Sequence, residues 1–390
     1  MRDRVRQLQE AFRELFGTHP AVLVRSPGRV ELLGNHTDYN EGYVLPIAIN
    51  VDVLAAGRLR DDDTMAVHST NFGTTVEFSL LRIERDEVNT WSNYVRGVVC
   101  FLQEAGVRLQ GANIALQGNV PVASGLSSSA AIEMAVGFLM QTLVGFDMTG
   151  PDLALIGQKA ENKFVGVNTG IMDQFISRLG RKDHALFLDC RTLEYDYLPL
   201  DTSSVKIAVC DTMKRRGLVD SEYDLRRSQC EEAARLLGQW IPNVRALRDV
   251  TAADFESHKH KLPEVIRKRA EHVVYENERV LKSRDVLKGG DYAQFGRLFD
   301  ESHESARRLY EVSCVELDTM VEVCRHSPGC LGSRLTGAGF GGCTISLVRD
   351  ECVNDFVETA RLGYEQRTGV APEVYVCTAE DGASVVSENS

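Results

Sequence analysis

Residues 113–117 read as a strand and residues 126–143 as an apolar helix, and the run at their junction is Ser124-Gly125-Leu126-Ser127-Ser128-Ser129-Ala130-Ala131. Gly125 lets backbone approach a ligand closely. The amides of the first helical turn have no intrahelical partner, and the helix dipole favours an anion beside them. Three successive hydroxyls offer donors to phosphate oxygens, or one oxygen ligand to Mg²⁺. A capped helix start needs only one serine. A glycine followed by three serines points instead to a phosphate cradle over Gly125, Leu126, Ser127, Ser128 and Ser129. The chain carries no Walker A sequence and no HRD or DFG set, which disfavours P-loop NTPases and protein kinases.

A second glycine segment, Gly337-Ala338-Gly339-Phe340-Gly341-Gly342, matches G-x-G-x-x-G by letter. A dinucleotide site requires a helix directly after such a loop. Here residues 331–335 and 344–348 both read as strands, so the dehydrogenase reading fails. What remains is a glycine loop, with Gly337, Gly339 and Gly341, lying close to a ligand or to other backbone. A third segment runs from Gly28 through Arg29, Glu31, Asn35, His36, Thr37, Asp38, Tyr39 and Asn40 to Gly42. It crowds charged and polar groups between strands, which suits a polyhydroxyl ligand.

Around these segments the periodicity predicts a helix over 2–16, strands over 21–24, 30–33 and 46–55, and a hairpin of 65–68 with 74–78. Helices follow at 91–104 and at 152–165, the latter capped by Thr149 and stopped by Gly166. Strands at 185–188, 195–198 and 205–209 precede a helical stretch with helices over 221–237, 263–281, 291–299 and 315–324. A helix over 353–362 and a strand over 373–376 close the chain, and residues after Glu380 read as a frayed tail. The 390 residues suffice for two domains, with a boundary near Asp201. A net charge of −12 with no basic stripe argues against a nucleic-acid partner. No apolar run is long enough to cross a bilayer. Residues 1–17 lack the apolar core of a secretory signal, and the ten cysteines are scattered without a CxxC pair, so reduced thiols in the cytoplasm are expected.

Taken in order, the three segments resemble the GHMP kinase superfamily and, within it, the galactokinase branch. Trp91-Ser92-Asn93-Tyr94-Val95-Arg96-Gly97-Val98, Gly170-Ile171-Met172-Asp173-Gln174-Phe175, Ser221-Glu222-Tyr223 and Tyr310-Glu311-Val312-Ser313-Cys314 carry the resemblance across nearly the whole chain. It implies an α+β, two-domain fold with the active site in the cleft between the domains. The N-terminal domain, 1–200, would be a mixed-sheet α/β unit with a left-handed βαβ crossover. The C-terminal domain, 201–390, would be ferredoxin-like α+β, with about the last ten residues frayed. It also implies ATP-dependent phosphorylation of a sugar's 1-hydroxyl by a cytoplasmic monomer. Asp173 would accept or orient the hydroxyl proton, and Arg29 would steady the phosphoryl group and keep Asp173 ionised. Ser128 and Glu161 would contact Mg²⁺, Trp91 would line the adenine pocket, and Arg215 would help neutralise the phosphates. His36, Asp38, Gly170, Asp173 and Tyr223 would contact the sugar.

One pair departs from the family. Galactokinases usually carry Asn at the position of Glu31 and Glu at that of Asn35, where the glutamate contacts the sugar near its 6-hydroxyl. Asn35 can still accept a hydrogen bond, and its amide can donate one. Lacking the charge, it would tolerate a 6-carboxylate, which keeps a galacturonate kinase as the runner-up. A sugar- and ATP-binding sensor without activity is a further alternative, against which the intact Ser129-Ala130-Ala131-Ile132-Glu133 run, Asp173 and Arg29 all speak. Mevalonate and homoserine kinases lack the His36-Thr37-Asp38-Tyr39-Asn40 signature.

Overall fold

The computed structural model describes residues 1–121, 125–215 and 219–386. Ser124 of the serine run and the side chain of Ser221 lie outside the described residues. In chain order the elements begin with α1 (Arg2–Phe16), β1 (Val22–Leu33), β2 (Tyr43–Leu59), β3 (Thr64–Ser69), β4 (Thr74–Ser79) and α2 (Ser92–Glu104). Then come β5 (Ala112–Gly118), α3 (Ser128–Val144), α4 (Gly150–Lys159), α5 (Met172–Leu179), β6 (His184–Asp189) and β7 (Tyr195–Pro199). β8 (Val205–Asp211), α6 (Val219–Leu237), α7 (Ala252–His258), α8 (Glu264–Lys288), α9 (Tyr292–Ser305) and α10 (Val315–Arg325) follow. The last elements are β9 (Cys330–Leu335), β10 (Cys343–Arg349), α11 (Val353–Thr368), β11 (Glu373–Cys377) and β12 (Ser384–Val385).

The first half builds a mixed sheet in the order β12-β1-β2-β5-β3-β4, with β6 joined to β2 and β7 to β6. β3 and β5 pair in parallel and the other neighbours pair antiparallel. Helix α3 packs on β1 and β2. It is apolar nearly all round, and Ala130, Ala131, Met134, Ala135, Val136 and Leu139 are all fully buried, as a helix without a polar face must be. The second half forms a four-stranded antiparallel sheet in the order β11-β8-β10-β9. With α10 and α11 packed against it, the sequence of strands is that of a ferredoxin-like unit. A single large core runs through both halves, joining Leu32 and Ile47 to Val280, Phe295, Phe299 and Ile345.

Three expectations need correcting. Val22–Leu33 form one continuous strand, not two, with register shifts between Pro27 and Arg29 and between Glu31 and Leu33. Pro27 and Gly28 lie between the two expected strands, and bulges accommodate both residue types within one strand. The helix expected over 152–165 is α4, capped by the Thr149 side chain as anticipated, followed by a π-helical turn over Ala160–Val165. Residues 380–386 are not a frayed tail. Glu380 donates to the Ala48 carbonyl, Gly382 to Gly180 and Ala383 to Ser177, and β12 then pairs with Val24 and Arg25 of β1. The terminal segment thus returns to the first sheet, so the second domain does not run unbroken from 201 to 390. Among the described residues no helix is long and apolar enough to cross a membrane.

Candidate functional site

Arg29 and Asp173 are brought together by two elements distant in sequence. The second register shift of β1 lies just beyond Arg29 and Glu31, and both side chains line one cavity of about 280 Å³. Asp173 lies in the first turn of α5. The Arg29 Nε donates to Asp173 Oδ1 at 2.6 Å and Nη2 to Oδ2 at 2.5 Å, a bidentate pair. Arg29 Nη1 also donates to the Gly125 carbonyl at 2.7 Å, and its backbone amide to Leu126 at 3.1 Å. One arginine therefore ties the carboxylate to the glycine-serine turn. Burial works against the Arg29 cation, but Asp173, helped by Glu31 and Asp38, raises its pKa overall. Ser127 adopts the left-handed conformation at φ 57°, and its hydroxyl donates to Asp173 Oδ2. Helix α3 begins at Ser128, and Gly125, Leu126, Ser127, Ser128 and Ser129 all face the cavity.

The opposite wall comes from the Gly28–Gly42 segment. His36 accepts at Nδ1 from the Tyr39 hydroxyl at 2.8 Å and donates from Nε2 to the Ala338 carbonyl at 3.1 Å. That carbonyl can only accept, which fixes the tautomer. The Tyr223 ring lies 5.3 Å from His36 and 5.0 Å from Tyr39, centre to centre. A Cβ on Gly170 would stand 1.9 Å from Asp38 Oδ2, so only glycine fits there. Burial, and then the charge of Asp173, raises the Asp38 carboxyl pKa to about 6. Asn35 donates from Nδ2 to the Gly337 carbonyl at 2.8 Å. Glu31 sits 3.6 Å from the fully buried guanidinium of Arg334, and burial raises its pKa to about 7 against the pull of that cation. Glu31 Oε1 and Asn35 Oδ1 are buried without hydrogen-bond partners, and both residues line the cavity. The exchanged pair therefore keeps one carboxylate and one amide on this wall.

On the phosphate side, Glu161 belongs to the π-helical turn and faces the cavity with Ser128 and Ser129. Burial, and then Asp173, raises its pKa. Ser128 and Glu161 are both oxygen donors, and Mg²⁺ takes one or two protein oxygens with phosphates and water completing the shell. These residues fit such an ion.

Of the remaining expectations, Gly337 lines the cavity. Gly339 and Gly341 instead lie against the carbonyls of Val312 and Lys214, 2.2 Å and 2.8 Å from where a Cβ would stand, so these two glycines serve the packing of the loop. Trp91 is not part of the cavity lining: its ring stacks on Phe72 at 5.8 Å. Arg215 pairs with Asp211 at 2.9 Å and is likewise absent from the lining. Sequence reasoning missed Glu276 and His272 of α8. Glu276 accepts from the amides of Gly34 and Asn35 at 3.0 and 3.2 Å, and from Ser302 and Arg279 at 2.7 Å each. Its burial would raise the pKa, but Arg279 and Arg334 lower it. His272 donates to the Asn35 carbonyl at 3.0 Å, and burial lowers its pKa to about 4, so it is neutral.

Comparison with known proteins gives three family matches. Residues 10–59 match the galactokinase galactose-binding signature, residues 93–181 the N-terminal domain of GHMP kinases and residues 283–360 their C-terminal domain. A galactokinase of Roseiflexus sp. is 47% identical over 384 residues, covering 98% of both chains. One from Clostridium acetobutylicum is 41% identical over 99% of this chain and 100% of its own. The crystal structure of Lactococcus lactis galactokinase complexed with galactose superimposes with a TM-score of 0.93 at 36% identity, covering 97% of this chain and 99% of that one. A mevalonate kinase of Methanococcus jannaschii shares the fold, with a TM-score of 0.65 at 17% identity.

Proposed function

The chain belongs to the galactokinase family of GHMP kinases and is an enzyme that phosphorylates galactose with ATP, and on that premise we propose how its residues divide the work. The observation that carries the reading is the Asp173 carboxylate, held bidentately by Arg29 in the same cavity as the start of α3. Galactose lies between Asp173 and the wall of His36, Asp38, Gly170 and Tyr223, with its anomeric hydroxyl at Asp173. The triphosphate lies along Gly125 to Ser129, where the free amides of α3 and the hydroxyls meet its oxygens. Phosphoryl transfer passes through a loose transition state in most analyses, so alignment and charge neutralisation supply most of the rate. Asp173 orients the hydroxyl and takes its proton, and Arg29 faces the charge that develops on the transferred group. Ser128 and Glu161 would hold Mg²⁺, which, when bound, neutralises phosphate charge. The cysteines are all free thiols, which supports a reducing, cytoplasmic setting.

Among the described residues that line the cavity, five are acids, Glu31, Asp38, Glu161, Asp173 and Asp224, against one arginine, Arg29. That balance disfavours an anionic sugar, and Glu31 keeps a carboxyl group on the wall where Asn35 lacks one. A panel of hexoses and hexuronates with Mg-ATP, followed by ADP release, tests the reading. Galactose is expected to be the preferred substrate. Asp173→Ala should lose about 10²–10⁴-fold in kcat while ATP and galactose still bind. A strong preference for galacturonate, or an unimpaired Asp173→Ala, would overturn it.

A further inference from the structure

Beneath the phosphate side of the cavity, two buried carboxylates share one amide. Glu133 of α3 and Gln174 of α5 are fully buried, and Glu161 of the π-helical turn is 4% exposed. Gln174 Nε2 donates to Glu133 Oε2 at 2.9 Å and to Glu161 Oε2 at 2.7 Å, using both of its hydrogens. Glu161 Oε2 also receives the Thr169 hydroxyl at 2.9 Å. Glu133 Oε1 and Gln174 Oε1 have no hydrogen-bond partner. Apolar side chains would fill the space with no charge to desolvate, so packing alone gives no reason for two acids and an amide here.

We propose that Gln174, braced from behind by Glu133, is a positioning residue that holds the Glu161 carboxylate at the angle the phosphate cradle requires. With one oxygen of Glu161 fixed from two sides, the plane of its carboxylate is set, and the cavity meets it in one orientation. The π turn contributes as well, because its extra residue per turn rotates the helix face that carries Glu161. Burial raises the pKa of both carboxyls, Glu133 well above its ordinary value; the Glu161 charge adds to the rise at Glu133, and the Asp173 charge adds to the rise at both. Among the described residues, the amide between them is the only group that donates to both. Gln174 follows Asp173 directly in α5, so one helical turn carries the sugar-side carboxylate and the nucleotide-side brace.

The inference rests on the reading of Glu161 as a Mg²⁺ contact, and the experiment separates the two. ATP binding is measured by titration calorimetry with and without MgCl₂, and galactose binding in parallel, for Glu161→Gln, Gln174→Leu, Glu133→Leu and Glu133→Gln. Wild-type protein should bind ATP more tightly with Mg²⁺. Gln174→Leu and Glu133→Leu should lose about tenfold or more of that Mg²⁺-dependent gain, with metal-free ATP affinity and galactose affinity within about twofold of wild type. Glu133→Gln, which keeps an acceptor for Gln174, should restore most of the gain. If Gln174→Leu does not fold, Glu133→Leu carries the test. If Glu161→Gln keeps the gain, the reading of Glu161 falls and the brace with it. If Glu161→Gln loses the gain but both leucine variants keep it, only the brace falls. Parallel loss of galactose and metal-free ATP affinity would reduce Gln174 to a structural residue and overturn the proposal.

Discussion

Asp38 shows how much a single side chain here depends on its surroundings. In the sequence it is one acid in a polar run. In the fold it is pressed against the space above Gly170 and shares the cavity with Asp173, and its carboxyl pKa is raised to about 6. A raised acid pKa means that the folded protein holds the proton more tightly than the unfolded chain. Its contribution to stability is complete below the ordinary value of about 3.9 and is lost as pH rises through about 6. Asp38→Asn removes that dependence. The thermal midpoint of the ligand-free Asn variant should therefore gain on wild type as pH rises from 4 to 7, and the gap should level off above that. Scanning calorimetry across that range checks it, and a gap independent of pH would refute it. Glu31, with a pKa raised to about 7 by burial and in part by the Asp38 charge, remains titratable in both proteins, and losing that charge eases its ionisation in the Asn variant, which widens the gap in the same direction.

At the scale of the element, α8 is the scaffold of the sugar-side wall. Its Glu276 takes two consecutive backbone amides of the loop at Gly34 and Asn35, and its His272 takes the carbonyl of Asn35. Asn277 adds an acceptor for the Tyr43 amide at 2.9 Å. Glu276→Leu would leave two buried N–H groups and the Arg279 guanidinium without their carboxylate. Breaking a buried charge pair in this way costs about 3–5 kcal/mol. Glu276→Leu should therefore lower the denaturation midpoint and raise the KM for galactose while ATP affinity is retained, since the phosphate cradle is built from β1, α3 and α5. Equal losses at both substrates would show that α8 supports the whole cleft.

Across the whole molecule, the two halves are stitched by their shared core and by the returning end of the chain. Deleting residues 382–390 removes the bonds of Gly382 and Ala383 to α5 and its exit, the pairing of β12 with β1, and the bond from Val386 to Leu23. At about 0.5–1.5 kcal/mol for each hydrogen bond, the loss amounts to several kcal/mol. The truncated protein should melt several degrees lower and retain its turnover at 25 °C, because none of the described residues among them lines the cavity. A frayed tail would have made the deletion silent.

What the sequence determined by itself was local: the periodicities that mark the helices and strands, the strand-loop-strand order around the Gly337 loop, and the three polar segments. Local spacing dictates which face of an element is buried and which conformations its glycines allow, so these features were legible before any fold was known. The residue roles came from the resemblance rather than from spacing. The tertiary structure alone decided which distant side chains meet. Glu276 and Asn35 are 241 residues apart, and Glu133 and Gln174 are 41 apart. A lone buried Glu or Gln leaves no periodic trace, because its position is set by the partner that compensates its burial rather than by its neighbours in the chain. The same reason hid β12: a two-residue strand has too little pattern to declare itself, and only the open edge of β1 gives it a place.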